Sequence, residues 1–338
     1  MANEPLYTLK RRPAPRTAWP EAKDPSRPLA GIKVIDFSRV IAAPVISKIL
    51  AVLGAQVLKV TYEDLPDVSL TWVDLNTGKR DTNIDLKSEK GRRRFSVLVE
   101  SADVLIDGYR PGALNRLGFD ADSLRKLNPS LIYARENCYG WKGPLAYRSG
   151  WQQISDCLVG ISWMQGRFLG LDEPVVPLLR TPSLPEICKK FQLISILANS
   201  DYQMGLVGAA AISHALLLRS QEETTFDIDL SLTQYNIWYY RLGEQLPEIK
   251  EALRNQHSDL KLRHYDEMLS LIRKTVATVR NARPEIFDNP DFFESMSGEE
   301  WGVAEDVRIL KCPFMLEKSM LKYDVPSGAR GRSEAVWL

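Results

Sequence analysis

A chain of 338 residues with 44% hydrophobic content is long enough to bury a large core, and its length favours two domains over one. Its 44 basic residues nearly balance 43 acidic ones, giving a net charge of +1 that speaks against electrostatic binding to nucleic acid or membrane and makes any basic site a local one. Four cysteines, Cys138, Cys157, Cys188 and Cys312, show no CxxC or Cys/His ligand spacing, and the three histidines are scattered, so reduced thiols and no metal are expected.

The first 27 residues are rich in Pro and Arg and read as an irregular arm over the surface. They lack the apolar core of a signal peptide, and Glu4, Glu21 and Asp24 among the basic residues argue against a transit peptide. No apolar run reaches the length of a membrane span, so the cytoplasm is the default location. Ile32–Phe37 reads as a strand, Pro44–Leu53 as a helix and Gln56–Val60 as a second strand, a right-handed βαβ unit on a parallel sheet. Further strands near 81–85, 102–106 and 131–135 alternate with helical segments near 88–99 and 120–127. That alternation predicts an α/β fold with a doubly wound, Rossmann-like parallel sheet and a ligand at the carboxyl ends of its strands. The turn after the first strand, Ser38 to Pro44, has no glycine where a pyrophosphate needs close backbone approach; GxGxxG is absent, so a nicotinamide enzyme is not expected.

Residues 102–118 run from a buried strand through Pro111-Gly112 into a basic helical turn, whose free N–H groups and positive end suit a phosphate. An ordinary βα connection with surface arginines fits the same residues. From Asp201 to Arg219 the pattern is helical and rich in small residues, including Gly205, Gly208 and Ala209 to Ala211, which requires something packed closely against it. Asp201 at the start of that helix reads either as an N-cap or as a carboxylate nucleophile. A second helical region covers 231–243. The large domain is placed at 28–243, a smaller, mainly helical domain at 244–306, and a return of the chain to the large domain at 307–338.

Several of these stretches carry a family resemblance. Ala102-Asp103-Val104 with Tyr109-Arg110-Pro111-Gly112-Ala113-Leu114-Asn115-Arg116-Leu117-Gly118 resembles the phrase "ADV…ENFRPGAL.RLG" of the family III coenzyme A transferases. That group, also called the CaiB/BaiF family, includes formyl-CoA transferase, carnitine CoA-transferase and α-methylacyl-CoA racemase. Pro28 to Val40, Leu53 to Val60, Asn76-Thr77-Gly78-Lys79-Arg80, Asp85-Leu86-Lys87, Leu127 to Tyr133, Tyr139 to Pro144 and Asp201 to Gly205 are similar to other family motifs, in the same order. The likeness covers roughly residues 28–243.

The resemblance implies an interlocked homodimer, with a partner subunit as what packs against the small-residue helix from Asp201 to Arg219, and a CoA-transferase that exchanges CoA between an acyl-CoA thioester and a carboxylic acid through an aspartyl anhydride on Asp201. It implies acyl-CoA as substrate, with no permanently bound cofactor. Arg116 would bind phosphate, Lys79 and Arg80 would flank the nucleotide, Val40 and Leu117 would wall the adenine, and Tyr109 and Tyr139 would line the pantetheine arm. Departures from the family pattern carry information too. Ile41 stands where formyl-CoA transferase has a glutamine, Asn137 replaces a lysine of some transferases, and Gly150-Trp151-Gln152 replaces the histidine triplet of the racemase branch. Trp151 cannot shuttle a proton, which leaves acyl exchange ahead of racemisation; a CoA-binding relative without turnover is the other reading. Residues Arg180 to Ala198 form an insertion of roughly nineteen residues before Asp201, either a loop over the active site or translated intron sequence.

Overall fold

The computed structural model describes residues 3–21, 24–176, 199–312 and 314–338. The insertion at 180–198, with Cys188, lies outside the described residues. After strand β1 (Tyr7–Pro13), the chain forms β2 (Lys33–Phe37), α1 (Ala42–Val52), β3 (Gln56–Thr61), α2 (Ser69–Leu75), β4 (Arg80–Asn83) and α3 (Glu89–Glu100). Next come β5 (Val104–Asp107), α4 (Ala113–Arg116), α5 (Ala121–Leu127), β6 (Ile132–Asn137), α6 (Gln152–Val159) and α7 (Ile161–Phe168). Helix α8 (Asn199–Gln221) leads into β7 (Thr224–Ser231) and α9 (Leu232–Arg241).

The seven strands form one sheet in the order β1-β7-β6-β5-β2-β3-β4. All neighbours are parallel except β1, which pairs antiparallel with β7, Tyr7 opposite Leu230. From β2 the chain winds outward through β3 to β4. It then returns to the other side of β2 at β5 and winds outward again through β6 to β7. The direction of winding therefore reverses between β2 and β5, which is where a doubly wound sheet opens a crevice at its carboxyl ends.

Period-two alternation sends successive strand residues to opposite layers. Val34, Val104, Ile106, Ile132 and Ala134 pack with Ile46 and Leu50 of α1 and Ile212 and Leu216 of α8. Ile35, Leu58, Leu105 and Tyr133 pack with Phe95 and Leu98 of α3 and Leu124 of α5 on the other face. Two expected helices start with side-chain caps: Ser88 Oγ accepts the Gly91 N–H at 3.0 Å, and Asp120 Oδ1 accepts the Ser123 N–H at 3.0 Å.

Four features depart from the sequence expectation. The arm is not irregular throughout, because Tyr7–Pro13 is an edge strand whose Arg12 pairs with Asp227 at 2.9 Å. Strand β7 and helices α2, α6 and α7 were not anticipated. The close partner of the small residues in α8 is α1 of the same chain: a Cβ on Gly205 would sit 2.3 Å from Val45 Cγ1, and one on Gly208 would sit 2.6 Å from Ile46 Cδ1. Finally, residues 244–306 hold α10 (Pro247–Gln256), α11 (Met268–Ala282) and α12 (Glu285–Asp288), but also β8 (Phe293–Met296), which pairs antiparallel with β9 (Val307–Leu310) across the expected boundary at 306. The tail lies along the β4 edge: Gly78 N–H donates to Val325 O at 2.8 Å and Trp337 Nε1 to Leu98 O at 3.2 Å. Among the described residues no helix is long and apolar enough to cross a membrane.

Candidate active site

The crevice at the winding reversal is built on a buried ion cluster. Asp36, at the end of β2, is fully buried and accepts hydrogen bonds from Ser38 Oγ, from Ser47 Oγ at 2.6 Å and from Lys79 Nζ at 2.8 Å. Lys79 Nζ also donates to Pro44 O at 2.7 Å, and Lys59 Nζ to Ser38 O at 2.9 Å. Burial is the largest influence on Asp36 and opposes its charge, but the Lys59 and Lys79 ammoniums outweigh it and hold the carboxyl at about 2. Burial likewise pulls Lys79 down to about 8 against the attraction of Asp36. The cluster pins the β2–α1 turn, in which Val40 takes the left-handed conformation with φ of 71°. A β-branched residue adopts that conformation only under constraint.

Gly108, after β5, brings the second loop against the first. A Cβ there would lie 2.4 Å from Ala43 Cβ and 2.7 Å from Ser38 Cβ, so only glycine lets the two loops meet. Tyr109 follows and packs on Phe37 with ring centroids 4.4 Å apart. Together the ends of β2, β5, β6 and β7 enclose a cleft of about 120 Å³. Val40, Tyr109, Glu136 and Asp201 line it, and Arg39, Arg110 and Arg148 are among its other lining residues. Ser149 to Trp151 close one side, and Tyr139 supports them from behind: a Cβ on Gly150 would come 2.7 Å from its ring.

Carboxyl groups dominate the electrostatics. Asp201 occupies the first turn of α8, half-buried, and is pushed up to about 7 by burial and then by Asp156. Asp156, on α6, is itself raised to about 7 by burial, although Asn236 Nδ2 donates to it at 2.8 Å. Asp107 rises to about 6 through burial while accepting the Tyr133 hydroxyl at 2.8 Å. Glu136, at the end of β6, is 8% exposed and rises to about 8, first through burial, then through Asp201 and Asp107. Among the described residues no three His, Cys, Asp or Glu side chains are placed to hold a metal ion. The arrangement offers an ionisable carboxylate at a helix N-terminus, facing a small cleft rimmed by cations. Such a site suits attack on an electrophilic carbonyl carried by an anionic ligand.

Of the site residues expected from the sequence, the cleft gathers Asp201, Val40 and Tyr109, and it is also lined by Ile41, Asn137, Gly150 and Trp151, where the chain departs from the family pattern. The remaining expected site residues lie outside its lining. Lys79 is fully buried in the Asp36 cluster, outside the cleft lining. Arg80 is tied to the tail, donating to Val336 O at 2.7 Å and Glu334 O at 3.2 Å. Leu117 packs in the layer on the α3 face of the sheet, and Tyr139 belongs to the core behind the cleft. Arg116 is exposed on α4, outside the cleft lining. That helix is a single four-residue turn, too short to build the expected phosphate-binding N-terminus. Glu136, Arg39, Arg110 and Arg148 were not anticipated. Glu136 was legible: Ile132, Ala134 and Glu136 share one strand face, so a carboxyl was due on the apolar side of β6.

The sequence profile of CoA-transferase family III matches residues 29–266. The acetyl-coenzyme A transferase nodX of Hypoxylon pulicicidum is 36% identical over 345 residues, covering 98% of this chain and 55% of its own length. The succinyl-CoA–L-malate CoA-transferase beta subunit of Chloroflexus aurantiacus is 34% identical over 254 residues, covering 71% of this chain and 56% of its own. The chain thus spans about half the length of these curated relatives. Two crystal structures share its fold. A CAIB/BAIF family protein from Brucella suis superposes with a TM-score of 0.61 at 21% identity, covering 90% of this chain and 97% of that one. The protein Rv3272 of Mycobacterium tuberculosis, in its orthorhombic form, gives 0.63 at 22% identity, covering 93% and 100%. The extent of the profile match and the 36% identity along nearly the whole chain establish that this protein belongs to CoA-transferase family III.

Proposed function

We propose that this protein exchanges CoA between an acyl-CoA thioester and a carboxylic acid, with Asp201 as the nucleophile. The observation that carries the reading is the Asp201 carboxyl in the first turn of α8, opening into the cleft at the winding reversal. Its carboxylate attacks the thioester carbonyl, giving an acyl-aspartyl anhydride and free CoA. CoA then attacks the aspartyl carbonyl to release the donor acid, and the acceptor acid repeats the sequence in reverse. N–H groups of the first turn of α8 stabilise the oxyanion, and Arg39, Arg110 and Arg148 attract the anionic substrates. CoA enters as substrate rather than as a resident cofactor, with Val40 and Tyr109 along its path.

Racemisation is disfavoured, since no histidine lines the cleft among the described residues and Trp151 stands in the loop where the racemase branch carries one. We further propose a homodimer in the cytoplasm. Trp151, Ile154 and Leu158 at α6, with Trp238, Tyr240 and Leu242 at α9, leave apolar side chains exposed on two packed helices, which a second copy would cover.

Mass spectrometry of the purified protein with a panel of acyl-CoAs and hydroxylamine tests the mechanism. The expected result is a hydroxamate at Asp201 that Asp201→Ala abolishes. CoA binding with no adduct would instead mark a CoA-binding relative without turnover.

A further inference from the structure

We propose that Glu136 carries the proton of the CoA thiol, giving it to the sulfur as the thioester breaks and taking it back when the sulfur attacks again. This rests on the Asp201 reading above. Three structural observations support it. Glu136 extends β6 on the strand face of Ile132 and Ala134, which pack under α1 and α8, and α8 carries Asp201. Both carboxyl side chains line one cleft. The glutamate is more than nine-tenths buried, and its Oε1 is sealed from solvent with no hydrogen-bond partner among the described residues, an arrangement that calls for a ligand.

The charge balance explains why two carboxyls are useful. Before reaction, Asp201 is ionised and Glu136 is neutral. The Asp201 oxygen bonds to the acyl carbon, the C–S bond breaks with its electron pair on sulfur, and the Glu136 proton moves to that sulfur. The products are the neutral anhydride, CoA as thiol and the Glu136 carboxylate. One negative charge has passed from one carboxyl to the other. When the thiol attacks the aspartyl carbonyl, Glu136 recovers the proton and the charge leaves with the donor carboxylate. The acceptor carboxylate brings it back by displacing CoA, to which Glu136 again gives its proton. The last attack of the thiol, on the acceptor acyl carbon, returns the proton to Glu136 and the charge to Asp201, so no proton is consumed over the cycle. Acylation of Asp201 also removes the repulsion that keeps Glu136 neutral, so Glu136 becomes a stronger acid as the sulfur departs.

The groups facing Glu136 come from every side of the cleft: Asp107 from β5, Asp201 from α8 and Cys138 beyond its own strand. Arg39, Arg110 and Arg148 line the same cleft from the flanking loops, and Asp156 acts in turn on Asp201. Burial and the two aspartates hold the Glu136 carboxyl up at about 8, near the range of an ordinary thiol, where proton transfer in both directions is efficient.

The test is the pH dependence of transfer in the full chain, for wild type, Glu136→Gln and Glu136→Asp, beside the Asp201 hydroxamate assay. The expected wild-type profile rises near pH 7 and falls above about 8. Glu136→Gln should lose about 100-fold in kcat with little change in KM and should lose the falling limb, while Glu136→Asp restores part of both. If the hydroxamate forms and Glu136→Gln keeps its rate, or slows with the falling limb intact, the Glu136 role is overturned and the Asp201 mechanism stands. If wild type forms no hydroxamate with any acyl-CoA, both fall together. Should Glu136→Gln not fold, the wild-type profile decides: transfer that stays flat above pH 8 overturns the proposal.

Discussion

Val40 is held at φ of 71° in the turn that lines the cleft, a conformation that costs a β-branched residue about 1–2 kcal/mol. Val40→Gly removes that strain, so the expected outcome is a gain of roughly 1 kcal/mol in denaturant unfolding together with weaker CoA binding by calorimetry. A loss of stability would mean that packing of the valine outweighs its strain. Lys79 makes the opposite case. Lys79→Met leaves the Asp36 carboxylate buried with one ammonium fewer and is expected to cost about 3–5 kcal/mol in the same unfolding measurement. A variant that folds normally and fails only to bind CoA would return Lys79 to the nucleotide site. These two residues also show how far the site was legible. Val40 and Tyr109 stood in family motifs next to strand ends, where a parallel sheet presents its ligand, and Asp201 stood in one at the start of a helix. Lys79 stood in a motif as well, but its long side chain reaches inward to a carboxylate 43 residues earlier in the chain, a tertiary pairing that local spacing does not encode.

Helix α8 reaches the cleft only because it lies nearly in contact with α1. Gly205 and Gly208 face Val45 and Ile46 with no room for a methyl group. Gly205→Ala is therefore expected to destabilise the protein by about 1–3 kcal/mol and to slow acylation of Asp201, one turn away on the same helix. A Cβ on Gly205 would also meet Val45 Cβ at 2.5 Å, so only Val45→Gly reopens the space, and the double variant with Val45→Gly should recover at least about 1 kcal/mol relative to the sum of the singles in a double-mutant cycle. Additive losses would show that the two helices do not confront each other at this point. Elements with continuous apolar runs, such as β2, β3 and β5, were legible because strands buried on both faces need no polar alternation. Strand β7 was not, since Asp227 and Asp229 interrupt it and read as loop. Their side chains meet Arg12, Arg125 and Arg135, whereas Phe226, Ile228 and Leu230 enter the core, so the period of two was present but masked by half-buried ion pairs. Strand β1 was obscured in the same way, by the basic residues of an edge strand that pairs with β7 more than two hundred residues later.

Across the molecule, the carboxyls around the cleft set how stability responds to pH. Asp107 is raised to about 6, Asp156 and Asp201 to about 7, and Glu136 to about 8, all above the values of 3.8 to 4.5 that they carry in an unfolded chain. Between roughly pH 4.5 and 8 the folded protein therefore binds more protons than the unfolded one, and stability falls as pH rises through this window. Asp36 acts in the opposite sense: held at about 2, it stabilises the fold above its unfolded value and loses that contribution as pH drops toward 2. Lys79, lowered to about 8, acts only above the window. The two carboxyl effects place the expected maximum of thermal stability near pH 5, with a decline toward pH 8 measurable by scanning calorimetry. Asp201→Asn removes one of the contributors, so it should flatten the decline and stabilise the protein at pH 8 by on the order of 1 kcal/mol, the half-exposed position of Asp201 keeping the gain below the full shift. A stability optimum at pH 8, or an Asp201→Asn variant less stable there than wild type, would mean that these carboxyls are solvated and ionised in the folded state. The same result would also remove the neutral Glu136 on which proton transfer to CoA depends, so the calorimetric profile tests the electrostatics of the site without any substrate.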